Sequence, residues 1–194
     1  MSKPSRKERP DLGTFAARSD RDVPGHSERV AAYAVKVASE LGLERGDIEN
    51  IRHAAVLHDI GKVVLSDEIV GKLGKLTDKE FEVMKLHATV GLSLIEQSDG
   101  LRGAAPLIRH HHERMDGTGY PDGLTGDAIP LGARIIGVCE AFDIMTSDVP
   151  WRERVTPEEA VQELRRCAGA QFDPVVVDAF ERVLTAMQEY RAAA

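Results

Sequence analysis

Cysteine is nearly absent from the chain: Cys139 and Cys167 are its only two among 194 residues. That excludes a disulfide framework and a cysteine-rich zinc knuckle. The plain expectation is two half-buried thiols in a reducing cytoplasm. Aromatic residues are scarce at 5%, which favours helices over an aromatic-rich sheet. No stretch approaches the roughly 18 consecutive apolar residues of a membrane span. The N-terminus is basic and polar without an apolar segment, so it does not read as a signal peptide. A cytoplasmic location with no membrane partner is expected. Positive charge is also in deficit, with 25 Lys and Arg against 32 Asp and Glu for a net charge of −7. This argues against a nucleic-acid duplex or an anionic membrane as partner. Small anionic substrates remain open, provided that positive charge is supplied locally, for instance by metal ions.

What is present is ordinary for a globular protein: 42% hydrophobic and 29% charged residues. The length suits one domain with a real core. Residues 1–21 are charged, contain proline and lack sustained periodicity, so a flexible arm is expected there, followed by one domain over 22–190.

Beyond the arm the chain reads as consecutive helices. Val30, Ala34, Val37 and Leu41 form one apolar stripe, closed by Gly42; Ile48, Ile51 and Ala55 form a second. Thr77 and Glu80 make a capping box ahead of Phe81, Met84, Ala88, Leu92 and Ile95. Helices are expected over Leu101–Arg114 and Leu131–Met145. Another starts at the Thr156/Glu159 capping box and stops near Gly169, and a last one starts at Asp173-Pro174. The segment Lys62–Leu65 is too short to found a sheet. The fold class is therefore all-α, with about seven helices.

The histidines are placed informatively. His58-Asp59 closes the second helix, and an adjacent imidazole and carboxylate can chelate one divalent cation or serve two. His26 follows Asp22 by four residues, a spacing that brings both to one metal if that turn is helical. His87 lies at the edge of a buried stripe, where a lone histidine is more often a hydrogen-bonded core residue. The run His110-His111-His112 adds imidazoles, although three consecutive helical residues cannot all face one point. Glu140 and Asp143 flank Phe142 in an otherwise apolar helix. His53 lies about 140° round its helix from His58 and is left out. Burying so many ionisable groups is costly unless a cation compensates them. Imidazole with carboxylate and without thiolate suits Fe, Mn, Zn or Ni, and the donors are too many for one metal. A site of two or three metals supplies hydroxide at neutral pH and neutralises phosphate charge, the apparatus of phosphoester hydrolysis.

Six segments together, HSERV (26–30), AAVLHDIGK (54–62), KLHATVG (85–91), HHERMDGTGYP (111–121), GDAIPLGARI (126–135) and AGAQFDP (168–174), resemble the HD-GYP family of metal-dependent phosphohydrolases. The resemblance spans roughly residues 22–180. It implies a helical HD core of about five helices extended by C-terminal helices, and hydrolysis of the bacterial messenger cyclic di-GMP to pGpG, GMP or both through a metal-bridging hydroxide. By motif, the metal ligands are His26, His58, Asp59, His87, His111, His112 and Glu140, the last standing where the family usually has Asp. Asp22 is the candidate ligand of a third metal, and two metals, iron or manganese ahead of zinc or nickel, are expected. Asp59 and Lys62 are the expected catalytic residues. Lys62, Tyr120, Asp143, Trp151 and Arg152 are the expected substrate contacts, with Arg152 and Trp151 offsetting Val149, which stands where the family often has arginine. Glu113 and Asp116 read as residues that orient the His111-His112 pair or cap the loop, the loop role being favoured for Asp116. The alternatives are another cyclic dinucleotide or nucleotide as substrate, or a weakly active signalling module that docks a partner such as a diguanylate cyclase through the Gly-Tyr-Pro loop. A homodimer is also compatible.

Overall fold

A computed structural model describes residues 23–72, 74–148 and 153–193, so the expected N-terminal arm lies outside the described residues. Among the described residues there are eight α-helices and no strand: α1 (His26–Glu40), α2 (Arg45–Leu57), α3 (Asp67–Val70), α4 (Asp78–Ile95), α5 (Ala105–His110), α6 (Leu131–Thr146), α7 (Pro157–Arg166) and α8 (Pro174–Ala193). Short 3-10 turns occupy Ile60–Val64 and Gly126–Ala128. None of these helices is long and apolar enough to cross a membrane.

The caps expected from sequence are made. The Thr77 hydroxyl accepts the Glu80 N–H while the Glu80 carboxylate accepts the Thr77 N–H, and Thr156 and Glu159 repeat the arrangement at α7. At the end of α1 the Leu43 N–H reaches the Ala38 carbonyl and the Gly42 N–H the Ser39 carbonyl, a Schellman closure. The extra helix beyond the expected seven is α3, a single turn too short to show periodicity. The expected helix over 101–114 is only six residues long. The chain makes turns over 101–104, Pro106 sits in the first turn of α5, and His111 caps its end.

α6 is the central helix. Ile135, Ile136, Val138, Cys139 and Phe142 are buried, and α6 packs against α1, α2, α5, α7 and α8. Phe142 meets Phe180 of α8 and Tyr33 of α1 at ring-centroid distances of 4.8 and 5.5 Å, a packing that favours offset and edge-on rings. On the other side the Ile60–Val64 turn lies against α4 so closely that a methyl at Gly61 would sit 1.9 Å from the His87 carbonyl oxygen. This approach carries the HD segment onto the middle of α4.

Candidate metal centre

Three histidines share one device. His58 ends α2, His87 lies within α4 and His111 ends α5, and each Nδ1 lies 2.6–2.8 Å from the carbonyl oxygen three residues earlier, of Ala55, Met84 and Ile108 respectively. A carbonyl can only accept, so Nδ1 carries the hydrogen and Nε2 keeps a lone pair. Those lone pairs converge. His87 Nε2 stands 3.5 Å from His111 Nε2, and Asp59 presents Oδ1 to His87 Nε2 and Oδ2 to His58 Nε2, both at 3.6 Å. His58 Nε2 and Asp59 Oδ1 are buried with no hydrogen-bond partner.

Two groups of donors result, each with ligand atoms within 4.8 Å of one another: Asp59, His87, His111 and His112 in one, and His26, His58 and Glu140 in the other. His112 Nδ1 and Glu140 Oε2, 4.0 Å apart, connect them. Asp59 borders both. Opposed acceptors and orphaned buried atoms are the pattern that divalent cations satisfy, so these residues fit metal ions.

The electrostatics agree. Burial lowers the imidazoles of His87, His111 and His112 and outweighs the Asp59 charge that raises each, with neighbouring imidazoles adding to the lowering of His111 and His112, which keeps the three neutral and able to ligate. Burial alone would raise Asp59, but the Lys62 ammonium, 2.5 Å from Oδ2, and the imidazoles around it hold the carboxyl well below its usual range. Burial pushes Glu140 up to about 7. Cys139, next in sequence to Glu140, is buried in the core and its thiol is raised by that burial, so it stays protonated there and offers no ligand.

Asp143 corrects an expectation. It does not face substrate: it is 2% exposed, it takes His26 Nδ1 at 2.7 Å, and Arg29 clamps both its oxygens at 2.6 and 2.9 Å. Burial would raise its carboxyl, but His26 and Arg29 hold it down. Asp143 thus orients the His26 ring. Replacing Asp143 by asparagine should weaken metal binding by roughly 10- to 100-fold with little change in helix content. Calorimetric titration read beside circular dichroism checks this, and an unchanged affinity would remove the orienting role.

The loop after α5 forms the wall of a groove. Glu113, 8% exposed, accepts the backbone N–H groups of Asp122 and Leu124, and Asp116 accepts the Thr118 N–H and hydroxyl. Both are loop-shaping residues, as expected for Asp116. Gly119 lies so near that a methyl there would come within 2.5 Å of Arg114 N and Glu113 Cα. His110 turns out of the centre and, with Arg109, holds Asp122. A third possible donor group, His110 with Glu113 and Asp122, is therefore already engaged in closing this loop. Met115 and Asp116 hydrogen-bond through their N–H groups to Gln171 and Ala170, tying in the AGAQFDP segment. Tyr120 follows, its ring layered on His112 at 4.8 Å, and the Tyr120–Pro121 bond is cis.

The groove encloses about 450 Å³ and is lined by His111, His112 and Glu140 together with Tyr120, Phe81 and Lys85. In sequence Phe81 belongs to the apolar stripe of α4. Phe81 is 43% exposed. His53 stays outside both donor groups, beside Arg52. Asp22, Val149, Trp151 and Arg152 lie outside the described residues.

Comparison with known proteins places this geometry. A family model described as an HD domain matches residues 14–176. A cyclic di-GMP phosphodiesterase response regulator of Xanthomonas campestris, RpfG, is 40% identical over 187 residues, covering 94% of this chain and 50% of its own length. A 3'3'-cGAMP-specific phosphodiesterase 2 of Vibrio cholerae is 35% identical, covering 87% of this chain and 33% of its own length. The chain thus spans half or less of these curated relatives. Among solved structures, a V. cholerae cyclic GMP-AMP phosphodiesterase has the same fold, with a TM-score of 0.71 at 20% identity over 90% of this chain and 48% of the other.

Proposed function

The chain belongs to the HD domain family, and on that premise we propose that it is a metal-dependent phosphodiesterase that hydrolyses cyclic di-GMP to pGpG, GMP or both. The observation that carries this reading is the pair of donor groups, with orphaned buried atoms and Asp59 between them, beside a groove walled by the HD-GYP signature loop. Asp59, His87, His111 and His112 would hold one metal and His26, His58 and Glu140 a second, iron or manganese suiting this imidazole and carboxylate set. Bound there, such ions supply an activated water and neutralise phosphoryl charge. The chain's own residues do the rest. Asp143 and the helix carbonyls fix the ring orientations, Lys62 brings an ammonium to the phosphoryl oxygens as charge develops there, and Tyr120 walls the groove.

The test is a hydrolysis panel of cyclic di-GMP, 3'3'-cGAMP, linear dinucleotides and mononucleotides, run on metal-loaded protein. Cyclic di-GMP should be turned over fastest. A preference for 3'3'-cGAMP is the second reading, favoured by the relative of that name. A docking module that binds partners through the Gly-Tyr-Pro loop is distinguished by partner binding that persists without metal, together with no turnover once metal is restored.

The acid–base state gives a further expectation. Burial pushes Glu140 up to about 7 from an ordinary 4.5, so between those values the folded chain holds a proton that the unfolded chain has released. Its contribution to stability is full below the lower value and is lost as pH rises through the upper one. A cation must displace that proton, so metal affinity should rise about tenfold per pH unit up to about pH 7 and then level. Glu140→Gln should flatten the slope. Competition titrations across that range check it, and an identical slope in the variant would contradict the assignment.

A further inference from the structure

The groove wall that starts from Tyr120, whose ring lies on His112 at 4.8 Å, is built from three side chains that nothing so far has given a role together. Phe81 meets Tyr120 edge-on, with centroids 6.1 Å apart. Lys85, one turn further along α4, sets its ammonium 5.0 Å from the Phe81 ring centre and 5.8 Å from that of Tyr120. All three line the same cavity as His111, His112 and Glu140. An aromatic residue 43% exposed on a wall that carries a cation is costly to leave in water and useful against a flat, anionic ligand.

The cations of this cavity are not equivalent. Arg134 is held by the buried Asp173 at 2.6 Å and by Asp127 at 3.1 Å. Arg114 is held by Asp116 and Thr118. Lys85 pairs with Glu82, whose side chain is 68% exposed, and such a solvated i,i+3 pair is exchanged at little cost. A cyclic dinucleotide carries two phosphates. On the phosphodiesterase reading the metal centre takes one of them, and the other requires positive charge further along the groove in a chain whose net charge is −7.

We propose that Phe81, Lys85 and Tyr120 form a second subsite for the half of the dinucleotide that is not being cleaved, with Lys85 on its phosphate and Phe81 against its purine. This rests on the phosphodiesterase reading and extends it: the subsite distinguishes a cyclic dinucleotide from a small phosphodiester, which reaches the metals alone.

The test compares wild type with Phe81→Ala, Lys85→Met and Lys85→Arg. Each is assayed on cyclic di-GMP and on bis(p-nitrophenyl) phosphate, with metal content measured on the same samples because Lys85 is two positions from His87. Loss of Phe81 or of the Lys85 charge should raise KM for cyclic di-GMP about tenfold and leave kcat within about threefold, the mark of lost ground-state binding. The ratio of kcat/KM for the dinucleotide to that for the small diester should fall about tenfold, and Lys85→Arg should restore most of it. An unchanged KM in both variants overturns the subsite, as does an equal loss on both substrates accompanied by lost metal. In those cases wild type still hydrolyses cyclic di-GMP, so the phosphodiesterase reading stands. A metal-loaded wild type that does not hydrolyse it overturns both.

Discussion

Replacing Asp59 by alanine should leave the chain folded, without bound metal, and slower on phosphodiesters by roughly 10⁴-fold or more, the scale on which loss of an essential catalytic group is felt. The reason is geometric. Asp59 offers one oxygen to His87 and the other to His58, each at 3.6 Å, and so borders both groups of metal donors. It is also the carboxylate that meets Lys62. With Glu140 raised to about 7 by burial, Asp59 is the group in the cluster that carries full negative charge at neutral pH before metal binds. Its removal takes away the anion that two cations would share and leaves neutral imidazoles facing one another. The measurement is metal content and turnover on the same preparation, with circular dichroism to establish folding. Normal metal content with full activity would show that the centre is not organised around Asp59.

Gly61→Ala should be the most damaging small substitution outside the ligands. The added methyl would meet the His87 carbonyl oxygen at 1.9 Å, its carbon at 2.7 Å and the Gly91 nitrogen at 2.8 Å, all of them backbone atoms in the middle of α4. Overpacking a core ordinarily costs about 1–3 kcal/mol. Here no flexible side chain can yield, so a loss of about 3 kcal/mol or more is expected. Any folded fraction should bind metal weakly, because relief requires α4 to move away from the HD segment and to take His87 from Asp59. Gly46→Ala is the control, since a methyl there meets nothing within 4 Å. It should be neutral or stabilising by up to about 1 kcal/mol, from helix propensity alone. Chemical denaturation of both variants decides the matter, and wild-type stability in Gly61→Ala would mean that this contact is not tight.

The candidate metal donors were legible in the sequence to the extent that they sit at helix ends and in contiguous motifs. His58-Asp59 could be read as a donor pair without knowing how the helices pack, whereas His87 and the choice of His111 and His112 from the triple run rested on the motif resemblance. Glu140 and Asp143 could not be assigned from packing rules, because residues three apart on a helix share much of one face. Only the position of His26, at the start of α1, decides that Glu140 points to the donors and Asp143 to the rear of the His26 ring. The same limit applies to His110, whose role depends on Asp122 arriving from across the loop. Phe81 misled for a different reason. It lies on the same stripe as Ala88, but two turns earlier, where α4 runs past the core and its apolar face reaches the groove and Tyr120 instead. Periodicity gives the face of a helix but not where its neighbours end. Leu101–Arg114 was read too long because turns, Pro106 and the His111 cap shorten α5 in ways that apolar spacing does not register.

The most direct test of the whole account is anaerobic metal analysis coupled to a cyclic di-GMP assay on one sample, before chelation, after chelation, and after stepwise return of iron or manganese. Turnover should vanish with the metal and return as occupancy approaches two ions per chain, giving pGpG, GMP or both. Full occupancy without hydrolysis of cyclic di-GMP, or hydrolysis that survives complete removal of metal, would contradict it.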